Sequence, residues 1–179
     1  IDAFLTQQVN GRRQCQRHHR RHRRRPLRPR RHLDGVAVGQ PAEGDRLRQP
    51  RLLDLAEVDT LAGFAKDVEA RHGKIDILVN NAGNTIKKPF EETSLAEIDQ
   101  VLDVHLRGAL ELTRTVIAGQ ARRGAGNVIF TASMTSFIGQ PFVMGYTVAK
   151  SALLGAVRGL SAEFAAWGVR VNGVAPGWI

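Results

Sequence analysis

The sequence predicts an α/β protein with a doubly wound parallel sheet, incomplete at both ends. Three observations carry this expectation. From about Leu52 onward, strand-like and helix-like stretches alternate without interruption. The strand-like stretch "KIDILVNNAG" gathers Ile75, Ile77, Leu78 and Val79 into a short apolar run, the pattern of a parallel strand covered on both faces. Turn residues then close it. Parallel strands joined by right-handed helical crossovers satisfy such an order, and sheets of this kind bind ligands at the carboxyl ends of their strands.

The elements follow in order. In "LDLAEVDTLAGFAKDVEARHG" the apolar residues Leu55, Val58, Leu61, Phe64, Ala65 and Val68 fall close to helical spacing, and Gly73 is placed to end the helix. After the first strand, "TSLAEIDQVLDVHLRGALELTRTVIAG" opens with Ser94 and Glu97 at the spacing of a capping box and predicts one helix of about seven turns. Strand-like "NVIFTAS" comes next, then a loop holding Gly139 and Pro141, a helix from roughly Gly145 to Trp167, and a last strand in "VRVNGVAPG".

With 179 residues and 42% hydrophobic content, the chain is long enough to bury one sizeable core. Its formal net charge of +9 is unevenly spread. Residues 1–51 hold 14 Arg, no Lys and 4 acidic residues, whereas residues 52–179 hold 12 basic and 13 acidic ones. A single cysteine, Cys15, excludes an intrachain disulfide and any multi-cysteine zinc pattern, so no metal site is expected and a reducing cytoplasm is the expected compartment. No apolar run approaches the roughly 20 residues of a membrane span, and the opening "IDAFLTQQVN" lacks the order of a signal peptide.

Residues 12–51 show neither periodicity, and residues 1–51 are therefore set apart from a domain at 52–179. Basic tails that grip nucleic acid mix Lys with Arg and interleave aromatics; this stretch has no Lys, Phe, Tyr or Trp, which disfavours a nucleic-acid partner. The preferred reading is a shifted reading frame, because Arg codons of a GC-rich gene read one base later encode Gly, Ala, Val or Asp. A real basic arm is the alternative. Small residues are what a dinucleotide-binding turn requires, since glycines let the backbone approach a pyrophosphate at a helix N-terminus.

The chemistry concentrates in "YTVAK", Tyr146 to Lys150, with Ser133 upstream. On a helix, positions four apart share a face, about 6 Å from each other. An ammonium one turn from a phenol favours the phenolate, the form that can act as a base, and a free phenol titrating near 10 does not supply it at neutral pH. Ser133, at a strand end, can donate a hydrogen bond to a substrate carbonyl. A Tyr-x-x-x-Lys pair alone is common on helices; what carries weight is its combination with Ser133 and the "NNAG" turn of an alternating α/β pattern.

These residues resemble the short-chain dehydrogenase/reductase family over about residues 52–179: Asp54-Leu55, Asn80-Asn81-Ala82-Gly83, Ser133, Tyr146, Lys150 and Pro176-Gly177. The resemblance implies a Rossmann-like fold and an oxidoreductase that uses NAD or NADP on a small alcohol or ketone. It implies that Asp54 lies near the adenine, that Asn80, Ala82 and Gly83 shape the cofactor wall, and that Lys150 holds the nicotinamide ribose beside Tyr146. Pro176 and Gly177 would flank the nicotinamide. Asn81 and Gly83 can equally serve to hold the turn. Two long helices, roughly Ser94 to Gln120 and Gly145 to Trp167, correspond to the family's subunit-pairing faces, so a homodimer or homotetramer is implied.

Two departures from the family pattern stand out. His105 occupies the place of the usual catalytic Asn, and an imidazole titrating near 6.5 would add a pH dependence to proton relay. The Gly-rich diphosphate turn is absent, its place taken by the Arg-rich text. "NTIKKPFEETSLAE", "TASMTSFIGQP" and "APGWI" are similar to gluconate 5-dehydrogenases and related sugar-acid enzymes of the family, with Lys87 and Lys88 as candidates to attract a carboxylate. A 3-oxoacyl thioester reductase of the same family is the rival reading, and an inactive remnant or a basic-arm RNA binder the alternative of a different class.

Overall fold

A computed structural model describes residues 4–6, 37–38 and 53–177 of the chain. Of residues 12–51, on which the frameshift and basic-arm readings rest, all but Ala37 and Val38 lie outside the described residues. The described elements are β1 (Phe4–Thr6), β2 (Ala37–Val38), α1 (Val58–His72), β3 (Ile77–Asn80), α2 (Leu95–Leu102), α3 (Gly108–Arg122), β4 (Gly126–Thr131), α4 (Met144–Phe164) and β5 (Val169–Val174).

The strands form one sheet in the order β2-β1-β3-β4-β5. β1, β3, β4 and β5 run parallel, and β2 is antiparallel to β1. Phe4–Thr6 and Ala37–Val38 thus join the sheet from within the segment that the sequence reading set apart, and Leu5 pairs with Leu78 at the middle of β3. The crossovers from β3 to β4 and from β4 to β5 step in the same direction, so a right-handed path lays their helices on one face of the sheet. Packing agrees: α1 lies against α3, α2 against α4, and α4 against β5.

Each helix forms where the apolar period and its end signals coincide. α1 buries Leu61, Phe64, Ala65 and Val68, carries Asp59 in its first turn and Arg71 and His72 in its last, and stops at Gly73 with φ 85°. Ser94 and Glu97 close the expected capping box on α2: Ser94 Oγ accepts from the Glu97 N–H at 3.2 Å, and Glu97 Oε2 accepts from the Ser94 N–H at 2.8 Å. After α4, Gly168 sits at φ 70° and any Cβ there would lie 2.2 Å from the Gly124 carbonyl oxygen, so this reversal into β5 demands glycine.

One feature differs from the sequence expectation, and one bears on which face of the sheet the described helices cover. The long helix is not continuous; Asp103–Arg107 form a π turn between α2 and α3, an insertion that hydrophobic spacing does not signal because the apolar positions continue through it. The strands are not equally covered on both faces. Leu78 and Asn80 of β3, Val128 and Phe130 of β4 and Val169 and Val171 of β5 are buried, while Ile77, Val79, Ile129 and Thr131 are half-buried and Arg170 and Asn172 are exposed. Among the described residues, helices pack on one face only. The core forms there, between that face and Leu61, Phe64, Leu112, Val116 and Leu153. No helix among the described residues is long and apolar enough to cross a membrane.

Gly108, where the π turn passes into α3, lets that helix press on the chain ahead of α1. A Cβ at this position would lie 2.6 Å from the Leu55 carbonyl oxygen, a backbone atom that cannot swing aside. Gly108→Ala is therefore expected to lower stability by about 1–3 kcal/mol despite alanine's better helix propensity. The denaturant midpoint measures it, and a midpoint equal to or above that of the unaltered chain would contradict this packing.

Candidate active site

The carboxyl ends of β3 and β4, the π turn and the first turns of α4 converge on one group of side chains. Lys150 is only 4% exposed, and its Nζ donates to the Thr131 carbonyl at 2.5 Å, where β4 ends. The same ammonium stands 5.5 Å from the centroid of the Tyr146 ring, one helical turn earlier. Tyr146 and Lys150 thus face each other, as the spacing predicts. Burial pulls the Lys150 pKa from 10.5 down to about 8, since desolvation disfavours the charged form. Of its three donors one is committed to Thr131, leaving the ammonium able to bind a hydroxyl-bearing ligand.

Ser133 follows β4 in extended geometry and caps a 3-10 turn over Met134–Ser136. Its Oγ accepts from the Thr135 N–H at 3.2 Å, so its own hydroxyl proton remains available to donate. The Ser136 hydroxyl donates to the Lys150 carbonyl at 2.8 Å and fastens this turn to α4. On the other side, the Met134 N–H donates to the Pro176 carbonyl at 3.0 Å, which sets Pro176 beside the Ser133 turn. Gly177 follows it, exposed.

The π turn carries His105, 3% exposed. Its Nε2 lies 2.7 Å from the Asn84 carbonyl oxygen and 3.1 Å from the Asn84 nitrogen. The shorter contact assigns the proton to Nε2, donating to the carbonyl, which leaves Nδ1 a buried acceptor without a partner among the described residues. The ring meets Tyr146 edge-on, with centroids 5.2 Å apart and planes at 86°. Burial first, and the nearby Lys150 charge second, lower its pKa from 6.5 to about 4, against the pull of the Asn84 bond. The imidazole is therefore neutral throughout the physiological range, and the pH dependence expected near 6.5 moves well below it.

The turn after β3 divides its work. Asn80 is buried, with Nδ2 donating to the Thr113 hydroxyl of α3 at 2.9 Å, so its side chain faces the core. Exposed Asn81 accepts from the Thr131 hydroxyl at 2.9 Å and ties β3 to β4. Ala82 is buried, and Gly83 lies against His105, where a Cβ would come within 2.2 Å of the ring carbon Cε1. Asp54 stands apart from this group: its Oδ1 accepts from the Ala56 N–H at 2.9 Å in the turn leading to α1. Lys88 donates to both oxygens of Glu97 at 3.1 Å; the Ser94 N–H first, and this lysine second, lower the pKa of that carboxylate. Lys87 is exposed. Thr131, Asn84 and Thr113 are site residues that the sequence reading missed; two of them act through backbone atoms, which leave no side-chain signature.

The lowered pKa of His105 makes stability depend on pH with a definite sign. Between about 4 and 6.5 the unfolded chain binds a proton at this position that the folded chain does not, so stability rises with pH across that window. The difference amounts to about 3 kcal/mol when fully developed. His105→Asn is expected to flatten the curve between pH 4 and 6.5 relative to the unaltered chain, in denaturant titrations at stepped pH; parallel curves would show that this imidazole is not buried neutral.

Comparison with known proteins shows the family. Residues 40–179 match the family model for short chain dehydrogenases, a match beginning inside the segment set apart at 1–51. The chain is 42% identical over 126 residues to a 2-dehydro-3-deoxy-D-gluconate 5-dehydrogenase of Pseudoalteromonas atlantica, covering 70% of this chain and 50% of that protein. It is 35% identical over 126 residues to an acetoacetyl-CoA reductase of Cupriavidus necator, covering 70% of this chain and 51% of the relative. Among solved structures, a gluconate 5-dehydrogenase of Burkholderia cenocepacia, in complex with NADP and tartrate, superposes with a TM-score of 0.68 at 32% identity, over 70% of this chain and 49% of the other. The chain spans about half the length of these relatives. Matched over most of its length, it belongs to the short-chain dehydrogenase family.

Proposed function

We propose that this chain carries the proton-transferring half of a nicotinamide-dependent oxidoreductase that interconverts a secondary alcohol and a ketone, with a sugar acid as substrate. The observation that carries the reading is the buried Lys150 ammonium facing the Tyr146 ring beside Ser133. In the reducing direction Tyr146 hands its phenolic proton to the carbonyl oxygen of the substrate, while the Ser133 hydroxyl donates a hydrogen bond to that oxygen and orients it. In the oxidising direction the phenolate accepts the alcohol proton. Lys150 stabilises the phenolate and, with its remaining N–H groups, would hold ribose hydroxyls. NAD or NADP supplies the hydride or accepts it.

The donor set fits the nicotinamide end of such a cofactor. Lys150 offers unspent donors, the Ser133 turn and Pro176 are tied together next to it, and the Oδ1 of Asn84 and the Oγ1 of Thr135 are buried polar atoms without partners among the described residues. Asp54 would meet the adenine end. The diphosphate seat would fall within residues 12–51; we infer that this text is out of frame and that residues 52–179 form the main part of the dehydrogenase domain, to whose sheet Phe4–Thr6 and Ala37–Val38 add strands. Re-reading the gene through this region tests the inference, and an uninterrupted frame on independent DNA ends it. A homo-oligomer paired through the long helices belongs to the same reading, and the exposed small residues Ser151, Gly155 and Gly159 leave α4 room for a close neighbour.

Resemblance to sugar-acid dehydrogenases supports the substrate, with exposed Lys87 as the cation for its carboxylate and Lys88 already paired to Glu97. Similarity to an acetoacetyl-CoA reductase, and the exposed Phe137, Ile138 and Phe142 around the site, favour an acyl thioester as the second reading. Offering gluconate and an acetoacetyl thioester with NAD(H) and NADP(H) decides between them, because turnover of the thioester alone ends the sugar-acid reading. Tyr146→Phe should lower kcat by about a hundred- to ten-thousand-fold with an unchanged melting temperature. Retention of more than a tenth of the activity would remove the phenol from the mechanism.

A further inference from the structure

We propose that His105 is a positioning residue of this site: an imidazole that fastens the chain leaving β3 at Asn84 to the ring of Tyr146, with Gly83 providing the space it fills. Three observations carry this. The Nε2 atom stands within hydrogen-bond distance of both backbone atoms of Asn84, at 2.7 and 3.1 Å. The ring also meets Tyr146 edge-on, with centroids 5.2 Å apart. The alanine methyl that any larger residue would bring to position 83 lies 2.2 Å from Cε1, so the imidazole and the glycine are matched in shape.

The π turn explains how the ring reaches this place. Inserting the extra residue between α2 and α3 shifts the register, and His105 is buried, facing the sheet end, rather than carried round with the exposed residues Ser94 and Asp99. The groups that face the ring are Tyr146 and the Lys150 ammonium, both from α4, and the Asn84 backbone. A second positive charge beside Lys150 would be repelled, and a protonated Nδ1 would find no acceptor among the described residues. The ring can therefore hold Asn84 and Tyr146 without taking part in proton transfer.

The consequence for turnover rests on the oxidoreductase reading, but the clamp itself can be observed without it. The chain contains a single tyrosine, so ring signals from a tyrosine-labelled sample belong to Tyr146 alone. Three variants of the full chain separate the contributions: His105→Phe keeps a ring and loses the bond to Asn84, His105→Asn keeps a donor and loses the ring, and Gly83→Ala crowds the unaltered imidazole.

In the magnetic resonance spectrum, His105 should remain neutral down to about pH 4, and His105→Phe and Gly83→Ala should both shift the Tyr146 ring signals. Adding His105→Ala to Gly83→Ala should recover most of the melting temperature lost by Gly83→Ala alone, because the clash partner is gone. In turnover, His105→Phe should lower kcat on the order of a hundredfold with KM little changed, and His105→Asn should restore part of that loss. A histidine at position 105 titrating near 6.5, or melting temperatures that add for Gly83→Ala and His105→Ala, overturns the clamp. Absence of turnover in the unaltered chain overturns the oxidoreductase reading instead and leaves the clamp to be decided by the ring signals and the melting temperatures.

Discussion

The site depends on an ammonium kept out of water. Lys150 is nearly inaccessible, and its stem passes through the core side of α4 to reach the Thr131 carbonyl. Burial of this kind is unfavourable unless the charge finds an acceptor, and the end of a parallel strand supplies one, since the last carbonyl of β4 has no further strand residue to bond. The same desolvation that lowers the Lys150 pKa to about 8 makes its charge act strongly on whatever stands close, and what stands close is the Tyr146 ring. The register of β4 against α4, held also by the Ser136 hydroxyl on the Lys150 carbonyl, therefore sets where that charge stands beside the ring.

From that contact the remaining geometry follows in two directions. Toward β5, the Ser133 turn is tied to Pro176, so a hydroxyl that can donate and the chain that follows β5 move as one piece with the lysine. Toward β3, the Tyr146 ring meets His105, which in turn holds Asn84. Three strand ends are thereby cross-linked through the first two turns of α4 and one π turn. A parallel sheet alone brings strand ends to one edge; side-chain bonds among those ends turn the edge into a site of fixed shape.

Much of the fold was legible because hydrophobic period and end signals agree. The α1 stripe, the Ser94–Glu97 capping box and Gly73 are local facts, each decided within a few residues, and the structure reproduces them. Tyr146 and Lys150 were legible for the same reason, because helical spacing alone places them on one face. Less legible were the contributions of Phe4–Thr6 and Ala37–Val38, which are too short to show a period and become strands only through pairing, the first with β3 and the second with β1. The coverage of one sheet face by α1, α3 and α4 among the described residues likewise depends on packing, which no single run reveals.

What the sequence determined by itself was the alternation of helices and strands from α1 to β5, the residue types of the candidate site, and the shared helical face of Tyr146 and Lys150, since all three follow from spacing along the chain. Only the tertiary structure decided that His105 is neutral, that Lys88 is already paired to Glu97, and that the Asn80 side chain serves the core through Thr113. The physical reason is common to the three. Charge state and hydrogen-bond partner depend on how far water is excluded and on which groups arrive from distant parts of the chain, and the π turn that delivers His105 leaves no trace in the hydrophobic pattern.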